Sequence, residues 1–368
     1  AVGYGAGAAV TTGISNTLIG GLAGDALTDA DYNVALGLNA LSSDTLGSRA
    51  TAIGQGALFS QNFTSATDNY NTAVGYAAGV NVTTGIENTL MGGLAGDALT
   101  DADYNTAIGY AALSGDTLGS RSTALGYGTL INQNFTSATD SNNTAVGYFA
   151  GVSVTTGVQN TLIGNEAADN ITSGNYNTAV GLNAMRGLTT GENCIGIGHS
   201  TASSASNSQH QIVIGTGGIS GGEDNQVTIG KPSNTIANEF DTDNAWTQSS
   251  DVRKKKNIED AVLGLDFVND LRPVTYQWKP NNEFPADFAE YSEENHMTLD
   301  VTMHGMIAQE VKAALDKTGV ERFGGWKEDT DGCQRLSKEM FVFPLIKAIQ
   351  ELSTALDAAL ARITTLEG

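Results

Sequence analysis

A glycine returns on a seventeen-residue beat through the first two-thirds of this 368-residue chain, and that register limits what the segment can fold into. The marks are Gly3, Gly20, Gly37 and Gly54, then, after a longer step of twenty-one, Gly75. The rhythm continues through Gly92, Gly109, Gly126 and Gly147, then Gly164, Gly181, Gly198 and Gly215, and closes at Gly230. Ala1-Val2-Gly3-Tyr4 recurs as Ala73-Val74-Gly75-Tyr76 and as Ala145-Val146-Gly147-Tyr148, so a 72-residue period lies above the shorter one. The four extra residues fall at Gln61-Asn62-Phe63-Thr64 and again at Gln133-Asn134-Phe135-Thr136. Fixed periods of this length mark a solenoid, in which a single coil cannot bury its own apolar face and stacking closes the core.

The coil chemistry is that of a β-solenoid. Each repeat offers a short strand such as Thr72-Ala73-Val74, and the glycine that follows supplies a corner at positive φ without a Cβ penalty. Asparagines at 16, 33, 71, 88, 105, 143, 160 and 177 stand four residues before the glycine and are placed to stack into ladders between coils. A disordered low-complexity segment would share the glycine content, but not the strict spacing or the regular Ile, Leu and Val. The inward side chains are mostly Ala, Val, Leu and Ile, which leaves a coil of one chain thin. The expectation is therefore a trimeric β-solenoid shaft over residues 1–231, with three chains wrapped together.

Charge and composition exclude several functions. The formal net charge of −22 argues against nucleic acid and anionic membranes as partners, since both require a basic surface. Residues 1–248 carry only Arg49, Arg121, Arg186 and Lys231 as basic side chains. Cys194 and Cys333 are far apart and imply no disulfide framework. No apolar run reaches the length of about 18 residues that a membrane span needs. The chain opens without methionine or a charged leader, as a fragment or a mature piece would. All prolines lie at or beyond Pro232 and all tryptophans at or beyond Trp246. That shift places a connector at 232–249 and a second domain at 250–368.

Four stretches of the second domain resemble the C-terminal intramolecular chaperone of endosialidase-type tailspikes and other phage fibres, a domain that is also a self-cleaving peptidase. They are Ser250-Asp251-Val252-Arg253-Lys254-Lys255-Lys256-Asn257-Ile258, Leu271 to Lys279, His304-Gly305-Met306-Ile307-Ala308-Gln309-Glu310-Val311, and the run from Pro344 to Leu352 that leads to Leu366-Glu367. The first fits the pattern Ser-Asp-x-Arg-x-Lys-x-x-Ile. The resemblance implies Ser250 as nucleophile and Lys255 as base, with Arg253, Ile258, Gly305, Ala308 and Gln309 as supporting residues. It also implies a cut beside Ser250, before Asp251. The Asn-Thr-Ala-Val-Gly-Tyr units resemble phage fibre shafts and the heads of trimeric autotransporter adhesins, whose coil is shorter than seventeen residues.

Read without the family, the chemistry of the junction is coherent. A serine hydroxyl needs a base at neutral pH, and a lysine serves when its amine is held neutral. Arg253, Lys254 and Lys256 flank Lys255, and like charges disfavour its charged form. Ser249 is a second candidate nucleophile, and an intramolecular acyl shift would break the 249–250 bond instead. The alternative is a charged turn with Ser250 as N-cap and Asp251 in the first turn.

The tail, residues 340–368, reads as a coiled-coil helix. Leu345, Ile349, Leu352, Leu356, Ala359, Ile363 and Leu366 alternate four and three apart, an a/d seam over three heptads. Such a seam can gather three chains and set their register before the slow, non-local closure of the solenoid. The competing reading is an amphipathic helix packed on its own domain.

Asp29-Ala-Asp31-Tyr-Asn33 and Asp101-Ala-Asp103-Tyr-Asn105 space oxygen ligands as calcium loops do, but no bidentate glutamate follows, so solvated turns are expected. His199 and His210 lack partners at metal spacing, and no metal or cofactor is called for. No carboxylate pair stands out as a glycosidase site. Together these readings describe a homotrimeric phage tail fibre or tailspike in the virion tail. It would bind a host-cell surface receptor, a glycan among the candidates, and join other tail proteins through a region N-terminal to this sequence. Its one enzymatic step would be single-turnover cleavage. The rival readings are a glycan-depolymerising tailspike and a bacterial trimeric surface adhesin.

Overall fold

A computed structural model describes residues 1–232, 234–239, 250–288, 291–295 and 299–367. The chain divides into two compact units, Ala1–Ser250 and Asp251–Gly368. Among the described residues no helix is long and apolar enough to cross a membrane. Most of the expected connector, together with Ser249, lies outside the described residues.

The first unit is a β-solenoid of seventeen-residue coils. Its main sheet is 14-stranded and runs in strict chain order, from Thr17–Ile19 and Val34–Leu36 to Gln226–Lys231 and Asn234–Glu239. The pairs are parallel and in register, so Thr17 lies beside Val34 and Thr72 beside Thr89. Only Asn234–Glu239 turns back, antiparallel on Gln226–Lys231, and so covers the outgoing parallel edge. The sheet thus continues past Lys231 into the stretch expected as connector.

The repeated glycines sit where successive coils come closest. Gly109 has φ +131°, and a Cβ built on it would lie 2.3 Å from the carbonyl oxygen of Gly126. Gly92, one coil earlier, faces Gly109 in the same way at 2.4 Å. No L side chain fits either the dihedral or the gap. The register follows directly, because a slip of one residue would put a Cβ into the neighbouring backbone.

One chain closes each coil by itself. The middle residue of every short strand points inward, and the core is a single column of buried side chains from Leu18 to Cys194. The 72-residue period is a packing rule for this narrow interior. Where the strand supplies leucine (Leu18, Leu90), the facing corner is glycine (Gly24, Gly96), and a Cβ there would meet the leucine methyl at 2.8 Å. Where the strand supplies alanine at Ala35, Ala52, Ala107 and Ala124, the corner carries buried Leu41, Leu58, Leu113 or Leu130. Ala73 and Ala145 have glycine corners instead, Gly79 and Gly151, and leucines of the neighbouring coils reach in, Leu90 at 2.6 Å from a Cβ on Gly79 and Leu162 at 2.6 Å from one on Gly151. Leu162 itself faces buried Ala168. Large and small alternate, so the volume is filled without a second chain.

The asparagines form the expected ladder, by bonding to backbone. Asn88 Oδ1 accepts the N–H of Asn105 at 2.9 Å, and Asn88 Nδ2 donates to the Ala102 carbonyl at 2.8 Å. Asn105 repeats this with Ser122 and Gly119, as Asn160 does with Asn177 and Gly174. The four-residue insertions build a second feature. Gly47–Ser48 pairs with Thr67–Asp68, and Gly119–Ser120 with Thr139–Asp140. Beneath each lies a buried polar chain, in which Gln61 Nε2 donates to Asp44 Oδ2 at 2.6 Å while Gln61 Oε1 accepts from Asn71 Nδ2 at 2.8 Å.

Asp29 and Asp31 are not free turn residues. Thr12 Oγ1 donates to Asp29, and the Ile14 N–H donates to Asp31 Oδ1 at 2.7 Å. Asp101 and Asp103 accept the same bonds from Thr84 and Ile86. These carboxylates staple one coil to the next.

Asn105→Ala orphans the buried Ser122 N–H and Gly119 carbonyl, and should cost about 1–3 kcal/mol in denaturant unfolding. Asp97 carries the opposite expectation. Its Oδ1 is buried and has no hydrogen-bond partner, and burial pushes its carboxyl above the usual range. A raised folded pKa favours the protonated fold, so this residue's contribution is best at low pH and is lost as pH rises through that value. Asp97→Asn should therefore raise the melting temperature at pH 7, with the advantage fading below the ordinary carboxylate range.

Candidate functional site

Ser250 ends the first unit and Asp251 begins the second. Asp251 caps a single 3-10 turn, Val252–Lys254, and accepts the Arg253 N–H on Oδ1 at 2.8 Å. The Arg253 guanidinium returns onto the same carboxylate, Nε to Oδ1 at 2.9 Å and Nη2 to Oδ2 at 2.7 Å. These bonds hold the Asp251 carboxyl down at about 2. Arg253 is thus already partnered by the residue that follows Ser250. The Lys255 N–H donates to the Val252 carbonyl at 3.1 Å and closes the turn. Ser250, Lys255 and Ile258 are all exposed. The capping expectation shifts by one residue, since Asp251 and not Ser250 is the cap.

The other three stretches converge in the second unit. Val274–Tyr276 pairs antiparallel with Met303–Gly305, placing Val274 beside Gly305 and Thr275 beside His304. A Cβ on Gly305 would come within 3.2 Å of the Tyr276 ring, so a side chain there would have to displace the ring slightly. Ala308 and Gln309 open helix α2, Ala308–Thr318, which follows the short helix α1, Leu265–Asp270. Arg272 donates through Nε to Glu310 Oε2 at 3.0 Å and through Nη2 to Oε1, tying the second stretch to the third. That guanidinium holds the Glu310 carboxyl below its usual range.

Helix α3, Val342–Glu367, carries the heptads. It anchors by its first turns. Pro344 and Ala348 are buried, and Phe341 joins Phe267, Val311, Ala314 and Leu315 in a small core. Glu351 Oε2 accepts the Leu265 N–H at 2.7 Å and so caps α1, whose preceding residue, Gly264, has no side chain to do so. A Cβ on Gly264 would collide with that carboxylate at 2.3 Å. The seam faces elsewhere. Leu345, Ile349, Leu352, Leu356, Ala359, Ile363 and Leu366 are all exposed, Ile349 at 65 % and Leu366 at 85 %. The helix does not lay its heptads on its own domain.

The Arg272–Glu310 and Gly264–Glu351 contacts were not among the expected site residues, although both ends of the first lie inside recognised stretches. His199 and His210 lie exposed on the solenoid. Among the described residues no group of three His, Cys, Asp or Glu side chains is gathered as metal ligands would be.

Residues 250–320 match the family model Peptidase_S74, described as the chaperone of endosialidase. No curated protein and no solved structure matches the chain. The matched segment and the solenoid together fit an endosialidase-type tail fibre with a C-terminal chaperone domain. The Asp251 pair gives a direct check. Its carboxyl carbon should keep the shift of an ionised carboxylate at pH 3.5 in the intact chain, and Arg253→Ala should return it to partial protonation there.

Proposed function

We infer that this chain is the distal part of a homotrimeric phage tail fibre or tailspike that attaches the virion to a host-cell surface. Its C-terminal unit gathers and registers three chains and is then cut off at Ser250. The observation that carries the reading is the exposed a/d seam of α3, on a helix that its own domain holds only by the first turns. Three heptads of Leu and Ile left in water are costly, and a second and third copy of the same seam cover them. The solenoid carries a matching surface. The last residue of each short strand of the main sheet is apolar and points away from the core, among them Ile19, Leu36, Met91, Leu125, Ile163 and Ile197, all exposed. Tyr110, Tyr127 and Tyr148 stack beside them at 5.4 and 5.6 Å. An apolar line of this length suits burial against the same line on other copies.

In the cleavage step Lys255, acting as base, takes the Ser250 hydroxyl proton as the oxygen attacks the Ser250 carbonyl carbon, and the bond from that carbon to the Asp251 nitrogen breaks. The proton passes to the departing amine, and water hydrolyses the ester. Lys255 and Ser250 are exposed in one chain, so the enclosed surroundings that suit the step would come with assembly. The order is then trimer first and cut second. The bond before Asp251 also divides the two compact units, which supports it as the place where a helper is removed. The supporting residues act from a distance, Arg253 by holding Asp251, and Gly305, Ala308 and Gln309 by joining the strand pair to α2.

Denaturing mass spectrometry tests the cut. Wild type should release a fragment of 118 residues beginning at Asp251, counted from 251 to 368, and Ser250→Ala and Lys255→Ala should each abolish it. A fragment beginning at Ser250 would move the cut to the acyl-shift bond, and intact wild type would remove the peptidase role. Leu352→Asp with Leu356→Asp should give monomers by sedimentation and leave the cut undone. A trimer that survives both changes contradicts the seam.

A further inference from the structure

In each coil the residue just before the ladder position, which is asparagine in most coils and another residue, such as Ala50 or Ser122, in others, is held at left-handed φ. Tyr32 has φ +59°, Arg49 +66°, Tyr70 +51°, Tyr104 +61°, Arg121 +63° and Tyr176 +59°. This conformation is unfavourable for a non-glycine residue, and Asn or Gly would bear it best. From Ser15 to His210 the column is filled by Ser, Tyr, Arg, Glu, Asn, Gln and His, every one exposed and none aliphatic. The residues that end the short strands of the main sheet, by contrast, are apolar. The two columns therefore serve different purposes.

The side chains of this column are ordered against one another. The Arg49 guanidinium lies over the rings of Tyr32 and Tyr70, at 4.9 and 5.8 Å from their centroids, and its Nε is 2.9 Å from Asp68 Oδ2. One 72-residue period later, Arg121 lies 4.8 Å from the Tyr104 ring and its Nε is 3.1 Å from Asp140 Oδ1. Asp68 and Asp140 both come from the inserted strands, so the insertions deliver the carboxylates to the ridge. Two of the four basic residues in the acidic part of the chain are spent here.

We propose that this tyrosine–arginine ridge is a binding surface for a linear, neutral polysaccharide, laid along the solenoid axis. The proposal rests on the attachment reading and names the face and ligand class that would serve it. Tyrosine offers a flat apolar ring with a hydroxyl at its edge, and it loses little entropy when it docks. Sugar C–H faces stack on such rings, while the Arg–Asp pairs present donors and acceptors to hydroxyls. The left-handed φ is shared by the buried corner residues Leu41, Leu58, Leu113 and Leu130 and so belongs to the coil; what sets this column apart is that its side chains are polar or aromatic and exposed. The period selects a polymer. Tyr32, Tyr104 and Tyr176 recur four coils apart, about 19 Å at the strand spacing of a sheet, and a repeating surface fits a repeating ligand. A globular protein partner would need a compact apolar centre, which a polar ridge lacks. The chain's charge of −22 repels polyanions and favours uncharged sugars.

The test is an array of bacterial capsular and O-antigen polysaccharides, neutral and acidic, probed with the full chain and with Tyr32→Asn/Tyr104→Asn/Tyr176→Asn. Asparagine suits the left-handed backbone, so the triple variant should melt at the wild-type temperature or above. Wild type should retain at least one neutral polysaccharide, more tightly than its isolated repeat unit by tenfold or more, and the variant should lose that binding at least tenfold. Retention only of acidic chains overturns the proposal, as does equal binding by the variant. A lower melting temperature in the variant marks the tyrosines as structural and overturns it too. Equal binding by wild type and variant leaves attachment standing and removes the ridge, whereas a wild type that retains no polysaccharide and adsorbs to no bacterial surface removes both.

Discussion

Everything in the solenoid depends on one contact, the approach of a glycine in each coil to the carbonyl of the glycine above it. At Gly109 there is no room for a methyl group, and the φ of +131° is closed to other residues. This contact sets the coil spacing and the register, and register decides which side chain of each strand faces in. Small-large alternation then fills the interior, and the asparagine ladder meets the backbone groups at the corner. A solenoid built this way tolerates almost no slippage, and its contacts are non-local in sequence by a full coil. Its folding therefore gains from a partner that fixes the starting alignment.

The C-terminal unit has the features of such a partner. Its own core is small, six buried residues around Phe267, and its main helix is committed on one face only. The remaining heptads point away from the domain that holds them. Glu351 serves both ends of this arrangement, as a surface residue of α3 and as the cap of α1. A small unit that exposes so long a seam is what the proposed trimerising role would require.

The fold was legible in the sequence wherever backbone geometry forces a residue type. Glycine at a positive-φ contact and asparagine at a ladder rung have no good substitutes, so their spacing displayed the coils and their corners. The closing of each coil by one chain was not legible. Ala35 looks too small for a core until Leu41 is seen to fill the same layer from the corner. The antiparallel strand Asn234–Glu239 was hidden for a similar reason, since it follows the last glycine mark and carries no repeat of its own. At the junction, the run Ser250 to Ile258 announced itself by residue type and order. The Arg253–Asp251 pair is a matter of a turn two residues long, and nothing in the spacing singles it out from the neighbouring lysines. The ridge of Tyr32 and Arg49 was equally silent, because an exposed tyrosine in a repeat reads as surface until its backbone is known to be strained.

The central claim is that the second unit is needed to build the solenoid and is dispensable afterwards. Refolding yield after dilution from denaturant addresses it most directly, comparing the Ser250→Ala chain with the 1–250 product that the proposed cleavage would release. The account predicts that the uncut chain regains cooperative β structure, while the mature product, stable until unfolded, does not return. Equal recovery of the two would contradict it and leave the C-terminal unit as a cap without a folding role.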